Sequence, residues 1–157
     1  MSNIQPRLFT TEQTETTSDD YYTPKWIFDT LGLHFDVDVA SPPHPTNVPC
    51  DRYFTQADDG LAQDWHGRVW MNPPFSHCER WVNRWIAHQN GVALLPLVKN
   101  TKWGTALWNS NASVHFPEFE LVFYKDGKTE KRIWPPVWLW ALGENNIEAL
   151  HNFGKVR

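Results

Sequence analysis

"RVWMNPPFSHCERW", residues Arg68 to Trp81, runs a strand into two prolines and out into a helix. Arg68-Val69-Trp70-Met71 reads as a short buried strand, because branched and aromatic side chains fit a packed, pleated surface. Asn72-Pro73-Pro74-Phe75 stops it, since each proline lacks the N–H that a ladder needs and has a fixed φ. Ser76-x-x-Glu79 has the capping-box pattern and predicts a helix from Ser76 to about Gln89. Trp81, Val82, Trp85 and Ile86 fall on one face of that helix, the face expected to pack on a sheet. Gly91 reads as the helix end. Residues 92–97, VALLPL, are then a continuous apolar strand of the kind buried on both faces of a parallel sheet.

Outward from this stretch the same alternation continues. In TPKWIFDTLG, Thr23 reads as an N-cap, Pro24 as the first helical residue and Gly32 as the residue past the end. FDVDVA (35–40) alternates apolar and acidic residues, as a strand with one exposed face or a strand approaching a ligand does. Residues 41–66 carry Pro42, Pro43, Pro45, Pro49 and Gly60 and read as a long irregular connection, a feature that is often functional. TKWGTALWNSN (101–111) is a weaker helix, held back by Gly104. SVHF, FELVFY, a turn at Asp126-Gly127, and VWLWAL look like antiparallel strands. The fold expected is α/β: a small open Rossmann-like sheet, largely parallel, with antiparallel strands toward the C-terminal edge.

Composition narrows the class. The 157 residues suffice for one domain with a real core, and 41% hydrophobic and 20% charged residues are ordinary for a soluble protein. Residues 1–20 are polar, with one Arg against four acids, and read as a disordered arm; residues 21–157 read as a single domain. The arm carries −3 of the net charge of −4, so the rest is nearly neutral and any DNA contact would be a local basic strip. Two cysteines, Cys50 and Cys78, make no disulfide framework. No Cys or His pair has zinc-site spacing, so no metal is expected; His44 with Cys50 and His77 with Cys78 are the nearest approaches. No apolar run reaches spanning length and no signal-peptide core is present, which points to the cytoplasm.

The proline corner has chemistry of its own. Asn72 offers a side-chain carbonyl acceptor, and the fixed φ values aim the Pro73 and Pro74 carbonyls. Two acceptors converging on one point suit the two N–H donors of a primary amine, and Phe75 adds a flat apolar face for a ring. A turn that merely ends a strand before a helix would use the same residues; its place at a strand end in an α/β pattern favours a site, because ligands of such folds sit at the carboxyl ends of strands.

NPPF resembles the [NDS]-P-P-[YFW] signature of S-adenosylmethionine-dependent amino methyltransferases. The stretch Tyr22–Trp103 is similar to the small phage DNA N-6-adenine methyltransferase (Dam-type) family. It carries YTP (22–24), DVDVAS (36–41), Asn47 with Cys50, RYFT (52–55), DDGLAQDW (58–65), NPPF (72–75), ERWVNRW (79–85) and LLPLVKNTKW (94–103) in order. The resemblance implies transfer of a methyl group from S-adenosylmethionine to the N6 amine of a flipped-out adenine in double-stranded DNA, in the cytoplasm of a bacterial host. It implies that Asn72 and the Pro73 carbonyl hold the amine, with Pro74 stiffening the corner and Phe75 stacking on the base. Thr23, Pro24, Asp38, Ala40 and Ser41 would bind the cofactor, with Asp64 near its adenine. As residues alone, Thr23-Pro24 is equally well a helix start and Asp38 an exposed strand residue.

The departure from many methyltransferases is Ala40-Ser41-Pro42-Pro43 where a Gly-x-Gly turn is usual. The resembled phage family is itself poor in glycine there, so the departure is typical of it, yet it leaves open weak cofactor affinity or a non-catalytic module that binds nucleic acid or a partner. The corner would also hold cytosine N4, an adenine in RNA, or a glutamine amide. Lys99, Asn100, Lys102 and Trp103, and Lys128 at a hairpin tip, are the candidate DNA contacts; a β-ribbon can enter a groove, although a solvated hairpin tip has the same composition.

Overall fold

The computed structural model describes residues 22–98, 100–117, 122–125, 129–132 and 136–157. Its main sheet has six strands: β1 (Phe35–Asp38), β2 (Cys50–Tyr53), β3 (Val69–Met71), β4 (Gly91–Pro96), β5 (Ser113–His115) and β8 (Val137–Leu142), in the order β2-β1-β3-β4-β8-β5. β2, β1, β3 and β4 pair in parallel. β8 runs antiparallel to both β4 and β5, so it is inserted between them and β5 forms the edge. This is the α/β, Rossmann-like arrangement, largely parallel with antiparallel strands toward the C-terminal side, that the sequence pattern predicts. β6 (Val122–Lys125) and β7 (Thr129–Arg132) pair as a separate antiparallel ribbon; the predicted turn at Asp126-Gly127, with Lys128, lies outside the described residues.

Alternate residues of the central strands feed two hydrophobic cores. Val69 and Met71 of β3, Ala93 and Leu95 of β4, and Trp138, Trp140 and Leu142 of β8 pack with Trp81, Val82 and Trp85 of α2 (Cys78–His88) and Leu107 of α3 (Lys102–Trp108). Trp70, Val92, Leu94, Val137, Leu139 and Ala141 face the opposite way. They meet Ile27, Phe28 and Leu31 of α1 (Lys25–Leu31) and Ala149 and Leu150 of α4 (Glu144–Leu150). All six residues of β4 and of β8 are therefore buried. Strands covered on both faces have no polar side, which is why VALLPL and VWLWAL read as unbroken apolar runs.

The structure corrects several expected boundaries. The stretch 41–66 contains β2, whose residues after Cys50 are exposed, and two 3₁₀ turns. An exposed edge strand of sequence CDRY has no alternating pattern to reveal it. No capping box forms at Ser76: a 3₁₀ turn over Phe75–His77, closed by His77 N–H donating to Pro74 O (3.0 Å), delays α2 to Cys78. The Ser76 hydroxyl instead lies 2.8 Å from His77 Nδ1. Gln89, at φ 66°, ends α2, and Gly91 begins β4. α4 has no counterpart among the sequence-based expectations. No described helix is long and apolar enough to cross a membrane.

Gly91 has a packing reason rather than a helix-ending one. A Cβ there would lie 2.4 Å from Val69 O and 2.7 Å from Val69 Cγ2, inside the β3–β4 pair. Gly91→Ala is expected to destabilise the fold by ~1–3 kcal/mol, the usual cost of overpacking. The check is a lower urea midpoint at unchanged m-value.

Candidate active site

Because β1, β2 and β3 run parallel with Asp38 level with Tyr53 and Trp70, their carboxyl ends share one edge of the sheet. Asn72 follows β3 there, and Thr23 approaches the same edge from the start of α1. The helix begins at Lys25 with Pro24 at the N-cap and no side-chain cap. Thr23 is therefore not the N-cap expected from TPKW. Its hydroxyl accepts a hydrogen bond from Asn72 Nδ2 at 3.1 Å. With the donor end of the amide engaged, Oδ1 is its acceptor end, and among the described residues nothing donates to it.

The rest of the corner is consistent with an amine clamp. Pro73 is buried, and no hydrogen bond among the described residues uses its carbonyl, whereas the Pro74 carbonyl closes the 3₁₀ turn. Phe75 is half-buried and rests against both hydrophobic clusters, so its ring is held from behind by the core.

On the neighbouring strand Asp38 is 1% exposed. Its Oδ1 accepts the Ala40 N–H at 3.2 Å, and among the described residues Oδ2 has no hydrogen-bond partner. The Ser41 hydroxyl lies near enough to favour the charged carboxylate, yet it donates to Pro42 O at 2.7 Å instead. Burial outweighs both favourable contacts and pushes the Asp38 carboxyl up to about 7. A buried carboxylate oxygen without a donor is an unmet demand that a ligand's ammonium or hydroxyl group can satisfy. Ala40 and Ser41 flank it, but their N–H groups are taken, by Asp38 Oδ1 and by Phe54 O at 2.8 Å.

Two residues to which the sequence pointed without a role tie this edge together. Asn47 Nδ2 donates to Thr23 O at 2.9 Å, and the Tyr22 hydroxyl donates to Pro43 O at 2.6 Å. The loop after β1 is thereby tied to the segment that touches Asn72. Two more residues carry contacts that the sequence did not indicate. His44, weighed there only as a distant metal candidate, stacks on Tyr53 with ring centroids 3.5 Å apart, and among the described residues its buried Nε2 has no hydrogen-bond partner. Arg84 of α2 donates to the carbonyls of Gly60, Leu61 and Gln63 and lies over the Trp65 ring, fixing the turn that follows β2. No sequence signal distinguishes Arg84 from any solvent-facing helix arginine.

Other expected site residues lie elsewhere. Asp64 is exposed and lines a cleft of about 320 Å³ with Asp36, Asp51 and His66, a lining that does not include Thr23, Asp38 or Asn72. Asn100, in a left-handed conformation at φ 59°, lines an apolar cleft of about 580 Å³ beyond the end of β4. Lys102 is exposed at the start of α3, but Trp103 is partly buried against the core because its helix face packs inward. The exposed aromatic of α3 is Trp108, 62% accessible, in the same cleft as Asn100. Lys99 and Lys128 lie outside the described residues. Among the described residues no group of three or more His, Cys, Asp or Glu could hold a metal ion.

Asp38 makes stability depend on pH. Its folded value of about 7 exceeds the ordinary 3.8, so between these values the folded protein holds a proton that the unfolded chain releases. Stability is full below pH 4 as far as this group is concerned and falls as pH rises through 7, by at most ~1.4 kcal/mol per pH unit. Urea titrations from pH 5 to 8 on the ligand-free protein should show this decline, and Asp38→Asn should flatten it and be the more stable form at pH 8.

A protein-family model described as DNA N-6-adenine-methyltransferase (Dam) matches residues 10–132, spanning Thr23, Asp38 and Asn72. No curated protein and no solved structure matches the chain. The match covers most of the sequence, and it agrees with a parallel sheet whose carboxyl edge carries an Asn-Pro-Pro-Phe corner beside a buried, unsatisfied aspartate. The chain belongs to the DNA N-6-adenine-methyltransferase (Dam) family.

Proposed function

We propose that this chain transfers a methyl group from S-adenosylmethionine to the N6 amine of an adenine flipped out of double-stranded DNA. The observation that carries the reading is the Asn72 amide, anchored at its donor end by Thr23, beside the Pro73 carbonyl; among the described residues neither Asn72 Oδ1 nor that carbonyl accepts a hydrogen bond. Those two acceptors receive the two amine hydrogens, drawing the nitrogen toward tetrahedral geometry so that its lone pair is available. Phe75 stacks on the extruded base; a base–aromatic stack contributes ~1–3 kcal/mol. Pro73 and Pro74 keep the corner rigid, so the chain contributes mainly position and electrostatics.

The residues at the end of β1 fit the cofactor. S-adenosylmethionine, when bound, supplies an electrophilic methyl group on a sulfonium. Asp38 Oδ2 accepts from its ammonium or ribose hydroxyls, which would meet the unmet demand of that buried oxygen. Thr23, Pro24, Ala40 and Ser41 form the surrounding wall. Asp64, in a cleft whose lining omits Thr23 and Asp38, is assigned no contact. Asn100, Lys102 and the exposed Trp108 offer amide, charge and ring to the DNA at the far side of the edge.

One observation favours a second reading. The Ala40 and Ser41 amides are already satisfied, so the turn after β1 offers a cofactor few backbone donors, as a non-catalytic relative would. Calorimetry with S-adenosylmethionine separates the two, binding counting for the enzyme. Transfer of labelled methyl to unmethylated DNA, followed by nucleoside analysis, is expected to yield N6-methyladenine. Asn72→Ala should lower kcat by about 100-fold or more, the scale seen when a group stabilising a transition state is removed. N4-methylcytosine, methylated RNA or a methylated glutamine as the product would reassign the acceptor, and an undiminished Asn72→Ala rate would sink the amine clamp.

A further inference from the structure

Asn72 sits half-buried, and its amide can present either end: a half-turn about its last side-chain bond exchanges Oδ1 and Nδ2 with almost no change of shape. Only one orientation offers an acceptor to an amine; the other sets N–H against N–H. Something must choose between them. Among the described residues the one hydrogen-bond partner of this amide is the Thr23 hydroxyl, which accepts from Nδ2 at 3.1 Å.

The hydroxyl is unusually well placed for that task. Thr23 is 6% exposed. Pro24 rather than Thr23 is the N-cap of the helix that follows, and among the described residues no hydrogen bond joins the Thr23 oxygen to an α1 N–H. Its backbone is fixed by Asn47 Nδ2 donating to Thr23 O at 2.9 Å, and the preceding Tyr22 is fixed by its bond to Pro43 O. A threonine hydroxyl has one hydrogen and two acceptor lone pairs. With a lone pair on Asn72, the hydrogen is available to an acceptor on the ligand side, and once engaged there it can no longer donate to Oδ1 in the flipped amide.

We infer that Thr23 is a positioning residue for Asn72: its hydroxyl holds the amide with Oδ1 toward the substrate amine, so that its contribution appears in methyl transfer rather than in cofactor affinity. This rests on the proposed amine methylation and changes the role that the family resemblance gives to Thr23. Thr23→Val keeps the shape and removes the hydroxyl; Thr23→Ser keeps the hydroxyl.

The test is steady-state methylation of DNA at saturating S-adenosylmethionine, with kcat and the KM for S-adenosylmethionine measured separately. Thr23→Val should lose 10- to 100-fold in kcat, the scale of a small misplacement of a reacting group, with that KM changed less than 3-fold. Thr23→Ser should recover most of kcat. A raised KM with intact kcat would make Thr23 a cofactor ligand only and overturn the inference; so would a Ser variant as slow as Val. If Thr23→Val does not fold, hydrogen exchange of the Asn72 side-chain amide in the wild-type protein decides: one protected proton supports the anchor, and two fast-exchanging protons overturn it. A wild-type protein without methyltransferase activity would instead sink the proposed function, while the exchange measurement still reports on the anchor.

Discussion

Parallel pairing of β1, β3 and β4 is the constraint on which the rest depends. Parallel strands must be joined by crossovers, so their carboxyl ends all emerge at one edge while helices cover both faces. Here the β3-to-β4 crossover is α2, and the alternating residues of β3, β4 and β8 supply a core on each side. Dry packing on both faces leaves the strand ends as the place where polar side chains collect. The segments after β1 and β3 reach that edge together, and it is there that Asp38 and Asn72 are found.

What sets the edge apart is unsatisfied acceptors: among the described residues the other buried side-chain atoms without a partner are ring nitrogens of His44, Trp85, Trp138 and Trp140. Most buried polar groups in folded proteins find partners. Asp38 Oδ2 does not, and the carbonyl of Pro73 goes unused among the described residues, although the neighbouring Pro74 carbonyl is taken up in the 3₁₀ turn. Two prolines in succession produce this asymmetry. Neither can donate to the ladder, so β3 stops, and the second carbonyl is drawn into the next turn while the first is left at the edge. Asn72 completes the pattern because Thr23 occupies the donor end of its amide.

Particular residues show where the sequence was legible. β8 was readable to the residue, because VWLWAL is apolar without interruption and turn-forming Gly143 follows it. Gly32 was read correctly as the residue past the end of α1, and the structure places it in the left-handed region at φ 65°. β2 was not readable: it is a four-residue strand with one half-buried residue and three exposed ones, paired only with β1, and no periodicity marks it. Ser76 misled because a capping box is a local pattern, whereas the 3₁₀ turn that displaced the helix start is imposed by the prolines before it. Trp103 shows a related dependence on tertiary packing. Its helix was visible, but which of its two tryptophans faced the core depended on the sheet beneath; Trp103 packed inward and Trp108 remained exposed.

The sequence by itself determined the α/β class, the buried central strands, the strand-ending corner at Asn72 and the family resemblance, because these depend on short-range pattern and on residue chemistry. Only the tertiary structure decided what Thr23 and Asp38 do. The Thr23 hydroxyl could cap its own helix or reach a residue 49 positions away, and it reaches Asn72. Asp38 could have faced water, but its position at the end of β1, between β2 and β3, removes its solvent and raises its pKa. Both outcomes come from non-local contacts, and burial and long-range hydrogen bonding exist only once distant segments share a sheet edge.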